Sequence, residues 1–118
     1  MAEPLKPCPP KPNCVCSRLD ASPRHRVEPF AVSGDPAEAI SRLKSLLEGL
    51  PRTEIVSATD DYLHAVCRTR LGFPDDVECL HSPEENVIHV RSASRLGYSD
   101  WGVNRRRVEN LRRRFQGG

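Results

Sequence analysis

Residues 53–94 decide the fold: Thr53-Glu-Ile-Val-Ser-Ala-Thr59, Asp60-Asp61, Tyr62-Leu-His-Ala-Val-Cys-Arg-Thr-Arg70, Leu71-Gly-Phe-Pro-Asp75, Asp76-Val-Glu-Cys-Leu-His81, Ser82-Pro-Glu-Glu-Asn86 and Val87-Ile-His-Val-Arg-Ser-Ala-Ser94. Apolar side chains recur at alternate positions in these runs, the pattern of half-buried strands. In the last run Ile88, Val90 and Ser92 share one face, and Val87, His89 and Arg91 the other. Asp60-Asp61 and Ser82–Asn86 are short polar links of hairpin type. Four consecutive strands with short links predict an antiparallel sheet.

Immediately before this stretch, Gly34-Asp-Pro-Ala-Glu38 supplies an N-cap, a proline at the first helical position and a glutamate three beyond the cap. Ala39, Ile40, Leu43, Leu46, Leu47 and Leu50 follow at helical spacing, and Gly49 and Pro51 end the helix. A second helix is expected from Asp100–Val103 to about Phe115, with Val103, Val108, Leu111 and Phe115 as a narrow apolar stripe. On it Glu109 is spaced to pair with Arg105, Arg112 and Arg113, each pair contributing roughly 0.2–0.5 kcal/mol. Upstream, His25–Val32 alternates as a first strand through Val27, Phe30 and Val32. Residues 1–24 contain Pro4, Pro7, Pro9, Pro10, Pro12 and Pro23, which disfavour regular structure and predict an extended lead-in pinned by Val15 and the cysteines.

The expected organisation is therefore a lead-in over 1–24 and a single α+β domain over 25–118. It has two layers: an antiparallel sheet of four to five strands with two helices on one face, in the order β-α-β-β-β-β-α.

A length of 118 residues supports one core, and 37% hydrophobic with 29% charged residues describes a soluble chain. No apolar run reaches membrane-span length and no signal-peptide segment is visible, so the cytoplasm is the default expectation. The charge is uneven. Residues 91–118 hold eight arginines against Asp100 and Glu109, a balance of +6, whereas residues 1–90 hold ten basic and fourteen acidic side chains, a balance of −4. That basic pole suits a small anionic ligand, acidic lipid or an acidic protein partner, or is simply a solvated helix face. Aromatic residues at 5%, without a stacking platform, argue against nucleic acid. There is no Gly-rich phosphate loop, nucleophile elbow or dinucleotide fingerprint, so no cofactor is expected.

The densest chemistry lies between Arg91 and Arg105, where the fourth strand turns into the last helix. Arg91, Arg95 and Arg105 offer charge; Ser92, Ser94, Ser99 and Asn104 offer short hydrogen bonds; Asp100 or Ser99 is placed to cap the helix. Two readings fit: an anion pocket at a helix N-terminus, or a polar network that ties the joint together. Asp100 favours the second, because a resident carboxylate competes with an incoming anion.

Two other groups carry chemistry. Asp75, Asp76 and Glu78 form an acidic set; Asp76 and Glu78 lie two apart on a strand and point the same way. Near His81 or His89 they could bind a divalent cation or serve as acid and base, or meet Arg91 or Arg68 across the sheet. No standard metal spacing is present. Of the five cysteines, Cys67 and Cys79 follow the apolar alternation and read as core, whereas Cys8, Cys14 and Cys16 crowd the lead-in. Cys8 and Cys14 could close a small disulfide loop in an exported chain, although an odd cysteine count points to a reducing compartment. Zinc on the three lead-in cysteines with His25, or a Cys14 nucleophile served by His25, are weaker alternatives.

Cys8-Pro-Pro-Lys-Pro-Asn13-Cys14-Val15-Cys16-Ser17 resembles the opening Cys-Pro-x-x-Pro-Asn-Cys-Val-Ser-Ser of the bacterial and plastid family known as domain of unknown function 1499. Phe73-Pro-Asp-Asp-Val-Glu78, Val90-Arg-Ser-Ala-Ser-Arg-Leu-Gly97 and Ser99-Asp-Trp-Gly-Val-Asn-Arg105 resemble its later motifs. The chain departs from the pattern at Cys16, where relatives usually carry serine, and at Trp101, where an aliphatic residue is more usual. The resemblance implies no agreed activity. It does imply relatives that are exported, lipid-anchored, membrane-linked or plastid-targeted, which runs against the cytoplasmic default.

Together these features predict a non-catalytic accessory or anion-binding module working through the Arg91–Arg105 joint. One alternative is a hydrolytic enzyme using Asp75, Asp76 and Glu78 with the arginines as clamps. Another is an interaction subunit docking through the basic C-terminal helix.

Overall fold

Alternation and turn chemistry produce a sheet that one pair of helices covers. In the computed structural model, which describes residues 5–117, the elements are β1 (Cys14–Cys16), β2 (Phe30–Ala31), α1 (Pro36–Glu48), β3 (Thr53–Ala58), β4 (Tyr62–Arg68), β5 (Pro74–Ser82), β6 (Val87–Ser94) and α2 (Val103–Gly117). Pro4, at the start of the proline-rich segment, lies outside the described residues. The sheet is antiparallel, in the order β1-β6-β5-β4-β3, and β2 pairs with the other end of the β6 edge. The expected α+β architecture and element order are present.

Two expectations need correction. The sheet has six strands, because the proline-rich segment contributes β1: Asn13-Cys14-Val15-Cys16 is a proline-free run that can donate to the β6 ladder. The predicted His25–Val32 strand shrinks to Phe30–Ala31, with one parallel bridge between Arg26 and Cys16. Pro29 has no amide proton, so pairing cannot run through it.

The core lies between the helices and the inward face of the sheet. Leu63, Ala65 and Cys67 of β4, Val77 and Cys79 of β5, and Ile88 and Val90 of β6 meet Leu43 and Leu47 of α1 and Val108, Leu111 and Phe115 of α2. Leu43 and Leu47 are fully buried, each contributing roughly 1.5–3 kcal/mol. Asp35 caps α1 by accepting from the Ala37 amide at 3.0 Å. Burial pushes the Cys79 thiol up to about 12, as befits a core residue rather than a nucleophile.

The α1–β3, β4–β5 and β6–α2 connections fall at one end of the sheet. Arg68 N–H donates to Arg52 C=O at 2.9 Å, and Arg95 N–H to Pro74 C=O at 3.1 Å, bringing the three loops side by side.

Candidate functional site

The strand-to-helix joint is a polar network packed between β5, β6, β1 and α2. Ser92 faces the helices and donates to Asn104 Oδ1 at 2.6 Å. The same oxygen accepts from Arg107 at 2.7 Å, and Arg107 reaches Asp75 at 2.8 Å. The Asn104 amide donates to Asp100, Ser94 and the Asn13 carbonyl. Asp100 caps α2 by accepting from the Gly102 and Asn104 amides, and Asn13 Nδ2 holds the Gly97 carbonyl at 2.9 Å. Ser99 accepts from the Trp101 amide at 3.3 Å. Asp100 thus both caps the helix and accepts from the Asn104 side chain. Arg107 and Asn13 are members that the sequence reading missed. The inward alternation of Asp75 was the available signal for Arg107, since a buried carboxylate needs a cation.

The three arginines expected to converge there do not. Arg91 lies on the open face of the sheet, 3.9 Å from Glu78, and donates to the Pro7 carbonyl. Arg95 grips Asp76 with two hydrogen bonds of 2.8 Å. Arg105 turns away to the carbonyls of Arg24 and Arg26. Arg91 and Arg95 share the open face of the sheet, against Glu78 and Asp76, whereas α2 carries Arg105 to the 24–26 segment.

The acidic set is split in the same way. Asp75 points toward the helices, whereas Asp76 and Glu78 face outward. On that open face Glu78 accepts from the Tyr62 hydroxyl at 2.5 Å, and His64 Nε2 lies 2.8 Å from Asp76. The histidine beside the acids is thus His64, in place of His81 or His89, since β4 pairs His64 opposite Glu78. Arg95, with His64 second, holds Asp76 down at about 2; burial and Glu78 push the Tyr62 phenol up. Asp76 is therefore an ionised anchor at neutral pH, unsuited to proton transfer there.

A relay-like chain also occurs: the Ser17 hydroxyl lies 2.9 Å from His89 Nδ1, and His89 Nε2 lies 2.8 Å from Glu85. Ser17 is wholly buried and its oxygen accepts from the Val90 amide, so no substrate reaches it. Cys8 and Cys14 are joined by a disulfide, Cys16 is a buried free thiol, and His25 Nδ1 lies 2.9 Å from the Cys14 carbonyl. That pairing uses two of the four groups of the zinc alternative and occupies the Cys14 nucleophile.

Helix α2 is not simply a solvated basic face. Arg112 stacks over Phe30 with its guanidinium 5.0 Å from the ring centre, and holds the Glu28 and Pro29 carbonyls. Of the three pairings expected for Glu109, only Arg112, at 2.9 Å, is made. The interaction-subunit reading loses Arg112 from its docking face.

A groove of ≈730 Å³ opens between the α1–β3 turn, the end of β4 and α2. Arg52, Arg68, Arg105, Arg106, Arg107 and Arg113 line it, with Glu109 the one carboxylate among the lining residues. Among the described residues Arg52, Arg68, Arg106 and Arg113 have no acidic partner: Arg52 and Arg106 donate to backbone carbonyls of Arg68 and Trp101. The sequence could not show this. Arg52 and Arg68 are far from α2 in the chain, and only the sheet register brings them beside it.

The family model described as a protein of unknown function (DUF1499) matches residues 4–115, from the lead-in to the last turns of α2. The chain belongs to this family. The matched span takes in both the Asn13 that pins the β6–α2 loop and the Asn104–Arg107 network of α2. Comparison with curated proteins and with solved structures finds no match. No helix among the described residues is long and apolar enough to cross a membrane.

Proposed function

We propose that this DUF1499 domain is a non-catalytic anion-binding module whose site is the arginine groove beneath the β6–α2 joint. The observation that carries the reading is the unbalanced charge of that groove: four arginines without a carboxylate partner face one space, and the single carboxylate there is already paired with Arg112. Guanidinium forks left facing a concavity bind phosphate, sulfate or carboxylate groups bidentately. The Asp75–Arg107–Asn104 network then serves as scaffold, fixing α2 against the sheet. The hydrolytic alternative has less support, because Asp75 and Asp76 lie on opposite faces of β5 and Asp76 is held ionised. The Cys8–Cys14 bond favours an oxidising compartment over the cytoplasm.

The test is thermal unfolding with inorganic pyrophosphate against sodium chloride of matched ionic strength. Neither the Arg68 nor the Arg113 side chain makes a hydrogen bond or ion pair among the described residues, so Arg68→Gln/Arg113→Gln should fold normally. Pyrophosphate should raise the melting temperature of the natural chain, and the double variant should need about tenfold more for the same shift. Equal shifts from chloride, or an unchanged response in the variant, would sink the reading.

A further inference from the structure

The β4–β5 and β6–α2 loops beside this groove present apolar side chains to solvent. Leu71 is 82% exposed and Trp101 85%, with Phe73, Leu96 and Tyr98 also exposed. Both loops leave adjacent strand ends, because Asp75 pairs with Ser94 in the ladder and the Arg95 amide donates to the Pro74 carbonyl, so they emerge side by side at one end of the sheet. Aqueous solvent does not stabilise such a display, and clustered exposed apolar residues mark an interaction site.

The loops are also held in place. Gly97 is fixed by Asn13, Arg95 by Asp76, and the turn before α2 by Asp100. Trp101 sits at φ +56°, a left-handed conformation that is strained for a bulky residue and that no burial of its indole offsets. Behind it the Arg106 guanidinium bonds to the Trp101 carbonyl, so a groove cation stands directly at the base of the aromatic tip. The nearby carboxylates Asp75, Asp76 and Asp100 are all engaged within the protein.

We infer that this end of the domain docks on an anionic bilayer, inserting Leu71, Phe73, Leu96, Tyr98 and Trp101 into the interface while the groove takes a lipid phosphate. The inference rests on the reading of the groove as an anion site. Charge complementarity selects the occupant. Aromatic and leucine tips partition into the headgroup boundary, and unpaired arginines meet the phosphates there, each contribution alone being weak and reversible.

Trp101 is the only tryptophan in the chain, so its own emission reports insertion. Phosphatidylcholine vesicles are compared with vesicles that include phosphatidylglycerol, by emission and by co-sedimentation. The expected result is a blue shift and pelleting with the anionic vesicles, reduced by high salt. Leu71→Ser/Phe73→Ser should weaken pelleting about tenfold while leaving the pyrophosphate response intact. If pyrophosphate binds but anionic vesicles neither pellet the protein nor shift Trp101, the membrane inference fails and the groove reading stands. If neither probe binds, both fail. Pelleting that is insensitive to the loop variant overturns the insertion of the tips.

Discussion

Arg107 on α2 and Asp75 on β5 form an ion pair of 2.8 Å with side-chain exposures of 12% and 1%. Removing one member of such a pair leaves the other charge buried without compensation, which costs far more than the pair contributes. Asp75→Asn and Arg107→Gln should therefore each lower stability by about 3 kcal/mol. The double variant should lose much less than the sum, because the second change removes the charge that the first left stranded. Urea denaturation of all four chains measures this coupling. Additive losses would show that the two residues act independently.

The alternation that predicted the strands already placed Ser92 inward and Arg91 outward, and the Asp35-Pro36 cap placed α1. Those features are local, and local periodicity determines them. The site depended on register. His64 stands beside Asp76, and Arg52 beside Arg68, only because of how β3, β4 and β5 pair, which no spacing within a strand reveals. Proline content hid β1, since three residues of ladder need only a short proline-free run. The basic charge of α2 was legible, but its division between structural and free arginines was not. Arg105 and Arg112 bond to carbonyls of residues 24–29, contacts spanning about 80 positions of sequence.

The Asp76 carboxylate gives the fold a defined acid response. Its folded value of about 2 lies below the ordinary 3.8, so it contributes stability that is present above pH ~4 and lost as the pH falls toward 2. The full shift corresponds to roughly 2 kcal/mol, and solvent screening at the half-exposed Arg95 reduces this to about 1–2 kcal/mol. Asp76→Asn should therefore be less stable than the natural chain by about that amount at pH 7, with the gap closing near pH 2. Chemical denaturation at the two pH values decides it. A gap of the same size at both would mean that the loss comes from packing and that Asp76 charge is irrelevant.

The Cys8–Cys14 bond closes the lead-in directly before β1, and Leu5 ahead of it is buried against the body. The odd cysteine count reflects Cys16, Cys67 and Cys79, buried free thiols that take no part in pairing. A loop this short constrains the unfolded chain modestly, so reduction or Cys8→Ser should cost about 2 kcal/mol. The loss should be local. Limited proteolysis of the reduced protein should cut within residues 5–13 first, while β3–β6, paired on both sides of β4 and β5, stay protected. Intact mass of the unreduced protein should lack two hydrogens, and Cys8→Ser should raise the thiols labelled under denaturing conditions from the three of Cys16, Cys67 and Cys79 to four by freeing Cys14. A fully reduced mass from protein prepared under oxidising conditions would remove the bond, and with it the argument for an oxidising compartment.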